Sequence, residues 1–533
     1  MTSTDTYDYI IVGAGAAGAT LADELSKRTK KTVLVLESGG KDVNPFIHIP
    51  KGFVFLLGGK RDSFYYDTQP VRGLGKPDRW QRGRVDGGST SINGMMYERG
   101  GPTYWGRIAE AADDRWSWEN VLEVYKSIED HDLGASPVRG SGGQLGILTK
   151  RDPERLNDVV IQAAKASGFQ WVDDFNENEH ERISYMPNTI KNGRRHNTAQ
   201  AFLKPALKRG NVTRLNQAHV VRVHFEGTRA TGVEAIVKDQ RRLFTAKEEI
   251  ILSAGALETP LILERSGIGR QDVLDNIGAT TVVVNPHVGE HAPEQRALSY
   301  QWRLNTQMGY NKKLASLIAQ GLNGIKYLLT RRGIIGTSAY DLAVAAKSDP
   351  ALDVPDLAIS FAQFGLDLTA TKFAVDPAPG LMGTAFLTSP TTESSIHASS
   401  LDPFAPPIIE AGYLEEDWEQ QAQRRMLEIV RDIASRAPLA SVISEEVVPG
   451  SAVQSTEDVV AHSWASGGMF HTVATARMGA AGEGVVASDL TVHGVTGLRV
   501  ADASVLPYQP GLTMAPSILV GAMAARLITG GKS

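Results

Sequence analysis

Residues 7–12 (YDYIIV) run apolar and β-branched, and glycines follow at once. A short run of this kind predicts a strand buried on both faces. Residues 19–28 (ATLADELSKR) space their apolar positions three and four apart, which predicts a helix, and residues 32–37 (TVLVLE) return to the strand pattern. The head of the chain therefore predicts a βαβ unit. Residues 38–106 carry little periodicity and much glycine, and read as loop. Helical spacing returns at 119–130 and 153–168. Residues 212–223 and 231–238 read as the arms of one hairpin joined through EGTRA, and 248–253 (EEIILS) as a further buried strand.

The pattern changes near residue 291. Residues 313–330 predict a helix, 355–362 a strand, and 383–412 a strand pair with proline-rich turns. Residues 414–437 predict a long amphipathic helix, acid-rich at its start and basic later, as the helix dipole favours. After about 460 the glycines return, with a last strand at 498–502 and a last helix from Thr513. There are no internal repeats and no low-complexity linkers. The expected fold is mixed α/β (α+β): a Rossmann-like nucleotide-binding domain from residues 1–290 and 456–533, interleaved with an antiparallel-sheet substrate-binding domain at 291–455.

Composition narrows the function. At 533 residues the chain is too long for one ordinary core. Its net charge of −5 supplies no basic excess for a phosphate backbone, so no nucleic acid is expected as a partner. Cysteine is absent, which removes thiolate nucleophiles, disulfides, zinc–cysteine sites and iron–sulfur clusters together. The first 15 residues show no signal-peptide pattern and no apolar stretch is long enough to span a membrane, so a cytoplasmic location is expected. The dozen apolar residues of SILVGAMAARLI read as a buried helix.

The segment Gly13-Ala14-Gly15-Ala16-Ala17-Gly18 is a GxGxxG match, weak alone but set here between a strand and a helix, with an acid at the end of the next strand. Gly13 permits the tight turn, Gly15 lets backbone approach a pyrophosphate, and Gly18 lets helix and strand pack closely. The pyrophosphate would sit on the N–H groups at the helix start, beside Ala16 and Ala17. Glu37, 19 residues after Gly18, is placed to accept from ribose hydroxyls. This pattern alone suits FAD or NAD equally.

Later segments separate the two. QRGRVDGGSTSINGMMYERG at 81–100, ILSAGALETPLILERSGIG at 251–269, HTVATARMG at 471–479 and GLRVADASVLP at 497–507 stand in order behind the opening GAGAAG. The chain thus resembles the glucose–methanol–choline (GMC) oxidoreductase family, which binds FAD, from residue 7 to about 528. The resemblance implies that Gly87, Gly88, Ser89, Asn93, Gly94 and Met95 lay backbone along the cofactor, and that Ser38, Arg84, Ala254 and Ala503 also touch it. It implies that the backbone of Val221 meets the adenine, that Asp502 lies beside the sugar-phosphate chain, and that Thr513 and Met514 open the last helix toward the flavin. Ile92 stands where some relatives carry a histidine that bonds the flavin covalently, so non-covalent FAD is expected. Asp86 replaces a usually apolar residue, and the sequence gives no account of it.

A lone histidine among small and apolar neighbours is more often packed than catalytic. Under the resemblance, however, His471 matches the family's base, which takes the hydroxyl proton of an alcohol as a hydride leaves the same carbon. The second histidine or asparagine of the family aligns with Leu512, which can neither accept a proton nor hold a hydroxyl. Either His471 works alone, or Tyr508, Gln509, Thr513 or His462 supplies the missing hydrogen bond. The expected reaction is oxidation of a primary alcohol, aromatic ones included, with electrons passed to oxygen or a quinone-like acceptor. A flavin-containing hydroxynitrile lyase, a light-driven fatty-acid decarboxylase and a non-catalytic flavin-binding protein are the alternatives. Neither the particular alcohol nor the oligomeric state can be read.

Other clusters carry less. Residues 173–181 are acidic but lack calcium-loop spacing and its glycine. His287 and His291 are four apart, yet Pro286 and Gly289 argue against one helix presenting both, so no metal is expected. Ser89, Ser91 and Ser504 lack a nucleophile elbow. Trp464 and Phe470 suit a substrate cavity and a core equally.

Overall fold

The computed structural model describes residues 5–151, 153–370 and 373–530. Two large sheets organise them, and each has its own buried core. In the first, strand Asp5–Val12 pairs in parallel with Val33–Glu37 on one side and Gln240–Leu252 on the other. Val212–Asn216 extends this parallel array beyond Val33–Glu37, and Leu498–Val500 joins it at the end of Gln240–Leu252. Strands buried on both faces need side chains that are apolar throughout, which is why Ile10, Ile11, Ile250 and Ile251 run without alternation. Arg229–Val237 and Ala218–Glu226 continue the sheet antiparallel. Helix Ala16–Arg28 lies against helix Met514–Ile528, and Gly521 permits that approach: a Cβ there would fall 2.2 Å from the carbonyl oxygen of Ala17.

The second sheet runs in the order Ile443–Val448, Leu298–Leu304, Gly380–Leu387, Leu357–Ala362, Leu342–Ala346, Arg182–Tyr185 and Gln170–Trp171. It is antiparallel except at its last pair. Helix Asp417–Ser435 packs on it through Ala422, Met426, Ile429, Val430 and Ile433, beside helices Arg155–Ala166 and Thr456–Ser466. Strands and a helix from before residue 291, and a helix from beyond 455, thus share this layer. The expected boundaries at 291 and 455 miss them because chain order and spatial layering differ here.

Several expected elements come out differently. Residues 212–223 are not one hairpin arm. They break at Gln217, whose φ is +54°, into a parallel strand and an antiparallel one. The predicted helix at 313–330 divides at Ser316, whose side chain accepts from Ala319 N–H and caps the helix Leu317–Thr330. Residues 383–412 hold three strands, the first in the second large sheet and only Glu393–His397 and Ile408–Glu410 paired with each other. The loop-rich span 38–106 contains a hairpin of Ser63–Pro70 and Pro77–Gly83. Among the described residues no helix is long and apolar enough to cross a membrane.

Candidate active site

A cavity of about 510 Å³ lies where the first sheet's loops meet the second layer. At one end the backbone does the work. Gly13 turns at φ +102°, with room for no side chain: a Cβ would lie 2.4 Å from Ser253 O. Helix Ala16–Arg28 starts at Gly15 with no side-chain cap, so the first N–H groups open beside Gly15, Ala16 and Ala17 on the cavity wall. Gly88 meets Gly15 directly, since a Cβ on Gly88 would fall 2.8 Å from Gly15 Cα. Gly87 does not line the cavity but donates its N–H to Ala14 O at 2.8 Å, tying the two turns together. Gly18 also stands behind the wall, where a Cβ would reach 2.0 Å from Gly13 O.

Glu37 is buried and accepts from Ala14 N–H at 2.9 Å and Gly39 N–H at 2.7 Å. Burial pushes its carboxyl up to about 7 against those two bonds. Ser38, Ser89, Asn93, Gly94, Met95, Ala254, Asp502, Ala503, Thr513 and Met514 all reach the same wall. Asp502 takes N–H from Gly255 and Ser504 and hydroxyls from Thr259 and Ser504, while burial raises its carboxyl. Asn93 Oδ1 accepts from Met95 N–H and from buried Arg195, which also holds Thr90 O. Asp86, unexplained in the sequence, binds Arg214 and, at 2.8 Å, Asn216 Nδ2, pinning the outer strand to the glycine turn.

Two residues expected at the cofactor, Arg84 and Val221, do not line the cavity. Arg84 stacks on Phe64 at 4.3 Å and donates to Ser38 O from behind the wall. Val221 sits where the pairing with Arg229–Val237 shifts register, and its carbonyl is taken by Arg265 Nε at 2.9 Å. The shift turns Ala218, His219 and Val220 to the cavity instead. Buried His219 stacks on Phe404, and its Nδ1 has no partner among the described residues. An uncapped helix start, facing glycines, the buried Glu37 carboxylate and this unpaired ring nitrogen form a set of donors and acceptors that fits FAD.

At the other end side chains dominate. His471 lies between Phe470 and Ala474, both at positive φ (+64° and +67°), a strained turn that holds the ring toward the cavity. Its N–H donates to Glu294 Oε1 at 3.0 Å, and Thr472 gives its N–H and hydroxyl to Glu294 Oε2. Gln295 settles the tautomer. Its Nε2 donates to Thr388 O and Gly511 O, both at 3.0 Å, so Oε1 is the atom 2.7 Å from His471 Nδ1. That contact requires Nδ1 to carry the hydrogen, and Nε2 is left as an acceptor with no partner among the described residues. Burial, with Arg82 adding to it, pushes the imidazole down to about 3, so it is neutral at ordinary pH. Arg82 donates to Thr472 Oγ1 at 2.9 Å.

None of the four expected substitutes reaches the ring. Gln509 donates to the backbone oxygen of His471 at 2.9 Å, and His462 is held by Ser299 O. Tyr508 lies under Arg107, and Thr513 is on the wall without a bond to the ring. Gln295 and Glu294 were missed because they stand 176 and 177 residues from His471 in an unremarked loop. Leu512 is buried with Phe175, Met186, Ala343, Ala345 and Phe386, and with Met96, Tyr340, Met469 and Phe470 it makes this end apolar.

Comparison with known proteins agrees. The GMC oxidoreductase N-terminal model matches residues 7–291 and the C-terminal model residues 390–524. The chain belongs to the GMC oxidoreductase family. It is 32% identical over 529 residues to an alcohol dehydrogenase [acceptor] of Pseudomonas putida, across 98% of this chain and 95% of that one. It is 31% identical to an oxygen-dependent choline dehydrogenase of Photobacterium profundum, across 98% and 93%. The crystal structure of pyridoxine 4-oxidase from Mesorbium loti superposes with a TM-score of 0.87 at 28% identity, covering 98% of each chain. This GMC member is thus an FAD-dependent oxidoreductase acting on CH–OH groups.

Proposed function

We propose that the chain oxidises a neutral, apolar or aromatic primary alcohol to its aldehyde, with His471 as general base. The observation that carries this is the Gln295–His471 contact, which leaves Nε2 as the acceptor in an apolar cavity end. The alcohol's hydroxyl proton goes to Nε2. FAD, when bound, supplies the acceptor for the hydride of the same carbon. The proton taken by Nε2 creates a cation that burial and Arg82 oppose, and the Gln295 carbonyl offsets part of that cost through Nδ1–H. Glu294, beside His471, is engaged by the His471 and Thr472 backbone and by the Thr472 hydroxyl, and the Arg82 cation lines the same cavity. A choline-like cation is disfavoured on that ground. FAD is held without a covalent bond, since Ile92 offers no nucleophile on the wall. Electrons then pass to oxygen or a quinone-like acceptor.

The test is the flavin spectrum during anaerobic mixing with benzylic, furanic and aliphatic alcohols. Bleaching by an aromatic or aliphatic alcohol, but not by choline, is expected, and the rate of recovery in air separates an oxidase from a dehydrogenase. His471→Ala should keep its FAD and lose about 10²- to 10⁴-fold in the rate of bleaching. A flavin that no alcohol bleaches overturns the reading and favours non-redox chemistry at the same site.

A further inference from the structure

Helix Leu317–Thr330 is mounted with its polar side inward. Asn323 donates to Lys313 O and Ala319 O, and Tyr327, buried, donates to Gly193 O at 2.9 Å. At 100° per residue these anchors share one side, and Leu317, Ile318, Leu322, Ile325, Leu328 and Leu329 fill an arc of roughly 140° on the opposite side. All six are exposed, from 57% at Ile325 to 82% at Leu317. None belongs to a buried core. A helix stabilised only within this chain would point that arc the other way.

The charge around the arc identifies its partner. Residues 311–333 contain Lys312, Lys313, Lys326, Arg331 and Arg332 and no carboxylate, in a chain whose net charge is −5. Lys312, Lys326 and Arg332 stand at the two ends of the helix and on its flank beside the arc, while Lys313 pairs with Glu154 at 3.4 Å and Arg331 stacks on Tyr327. Across a two-fold contact between copies, the same cations would face each other. The turn Pro50–Phe55 continues the surface: Phe55 is 69% and Leu57 51% exposed, and Lys51 donates to Thr337 Oγ1 next to the end of the helix. Phe53 and Leu57 also line the cavity wall, so this apolar surface adjoins the cavity.

We propose that this face docks the protein on an anionic lipid bilayer, lying in the interface without spanning it. The leucine and isoleucine arc enters the acyl boundary while the lysines and arginines meet lipid phosphates. This needs neither the alcohol nor His471 and stands apart from the catalytic reading.

The experiment is flotation of the FAD-loaded full chain with vesicles of phosphatidylcholine alone and of phosphatidylcholine mixed with phosphatidylglycerol. The protein should float with the anionic vesicles and be weakened by salt. Leu322→Gln/Ile325→Gln/Leu329→Gln should float at least about tenfold less, with flavin spectrum and turnover of a water-soluble alcohol unchanged. Lys312→Gln/Lys326→Gln/Arg332→Gln should lose the preference for phosphatidylglycerol. No flotation with either vesicle overturns the proposal, as does equal flotation of the parent and the arc variant. A lipid-free dimer that the arc variant splits also overturns it, assigning the face to a second copy.

Discussion

The two ends of the cavity are built by different means. The nucleotide end is backbone: glycine turns, helix starts and strand ends, where Gly15 touches Gly88 and Gly87 ties to Ala14. The alcohol end is side chains from distant segments: Gln295, Tyr340, Phe386, His471 and Leu512. Backbone sites tolerate almost no added atom but are indifferent to most neighbours. Side-chain sites accept substitution and change their chemistry with it. A cofactor common to a family and a substrate that varies within it are served by these two kinds of construction.

The contrast can be broken most sharply at Gly18. Gly18→Ala puts a Cβ 2.0 Å from Gly13 O, where no flexible side chain can yield. The cost is about 3 kcal/mol or more, and FAD content per purified chain should collapse. Gly94→Ala is the control: a Cβ there meets nothing of the protein within 4 Å, so fold stability should persist and any loss of FAD reports the cofactor itself. If both variants keep full FAD, the backbone cradle is misassigned.

A smaller effect sharpens the other side. Gln295→Leu should retain FAD and lose about 10- to 100-fold in kcat, because Nδ1–H loses its acceptor and the ring is free to change tautomer. In the parent, His471 stays neutral down to about pH 3, so kcat/KM should not fall through the ordinary histidine range near 6.5. Gln295→Glu places a carboxylate on the ring and should move the acid limb upward. A parent profile that breaks near pH 6.5, unmoved in Gln295→Glu, would refute the tautomer argument.

The smallest effect is a pH dependence at Glu37. Its folded pKa, about 7 without cofactor, lies above the ordinary 4.5. The cofactor-free fold binds the extra proton, so this group's contribution to stability is fullest below about 4.5 and is lost as pH rises through 7. The ribose hydroxyls expected at Glu37 would need the carboxylate as acceptor, so FAD affinity should weaken below pH 7, by at most about tenfold per unit. Titration of apoprotein with FAD across pH 5–8 checks this, and Glu37→Gln should flatten the curve.

Legibility followed the same division. The βαβ start, Glu37 and the glycine turns are local patterns, and most of their residues stand on the cavity wall. Val221 itself does not line the cavity while Val220 does, because a register shift changes which residues face inward, and alternation alone cannot announce it. Gln295 was invisible, for nothing about a glutamine in a loop tells that both its amide hydrogens will be spent on Thr388 O and Gly511 O. Asp86 looked anomalous until Arg214 and Asn216 arrived from another strand. Boundaries at 291 and 455 followed the chain, while the second sheet recruits Arg182–Tyr185 from well before them.

The late strand Leu498–Val500 and helix Met514–Ile528, packed against Gln240–Leu252 and Ala16–Arg28, set a timetable for birth of the enzyme. At ribosomal speeds of roughly 5–20 residues per second, the glycine turn emerges tens of seconds before the segment bearing Asp502 and Thr513 that closes over it. Through that interval the nascent chain shows an unfinished parallel sheet, with its apolar edge open to chaperones. FAD can be locked in only as synthesis reaches its final stretch, so loading doubles as a completeness check: a ribosome that stops near residue 490 releases a colourless chain.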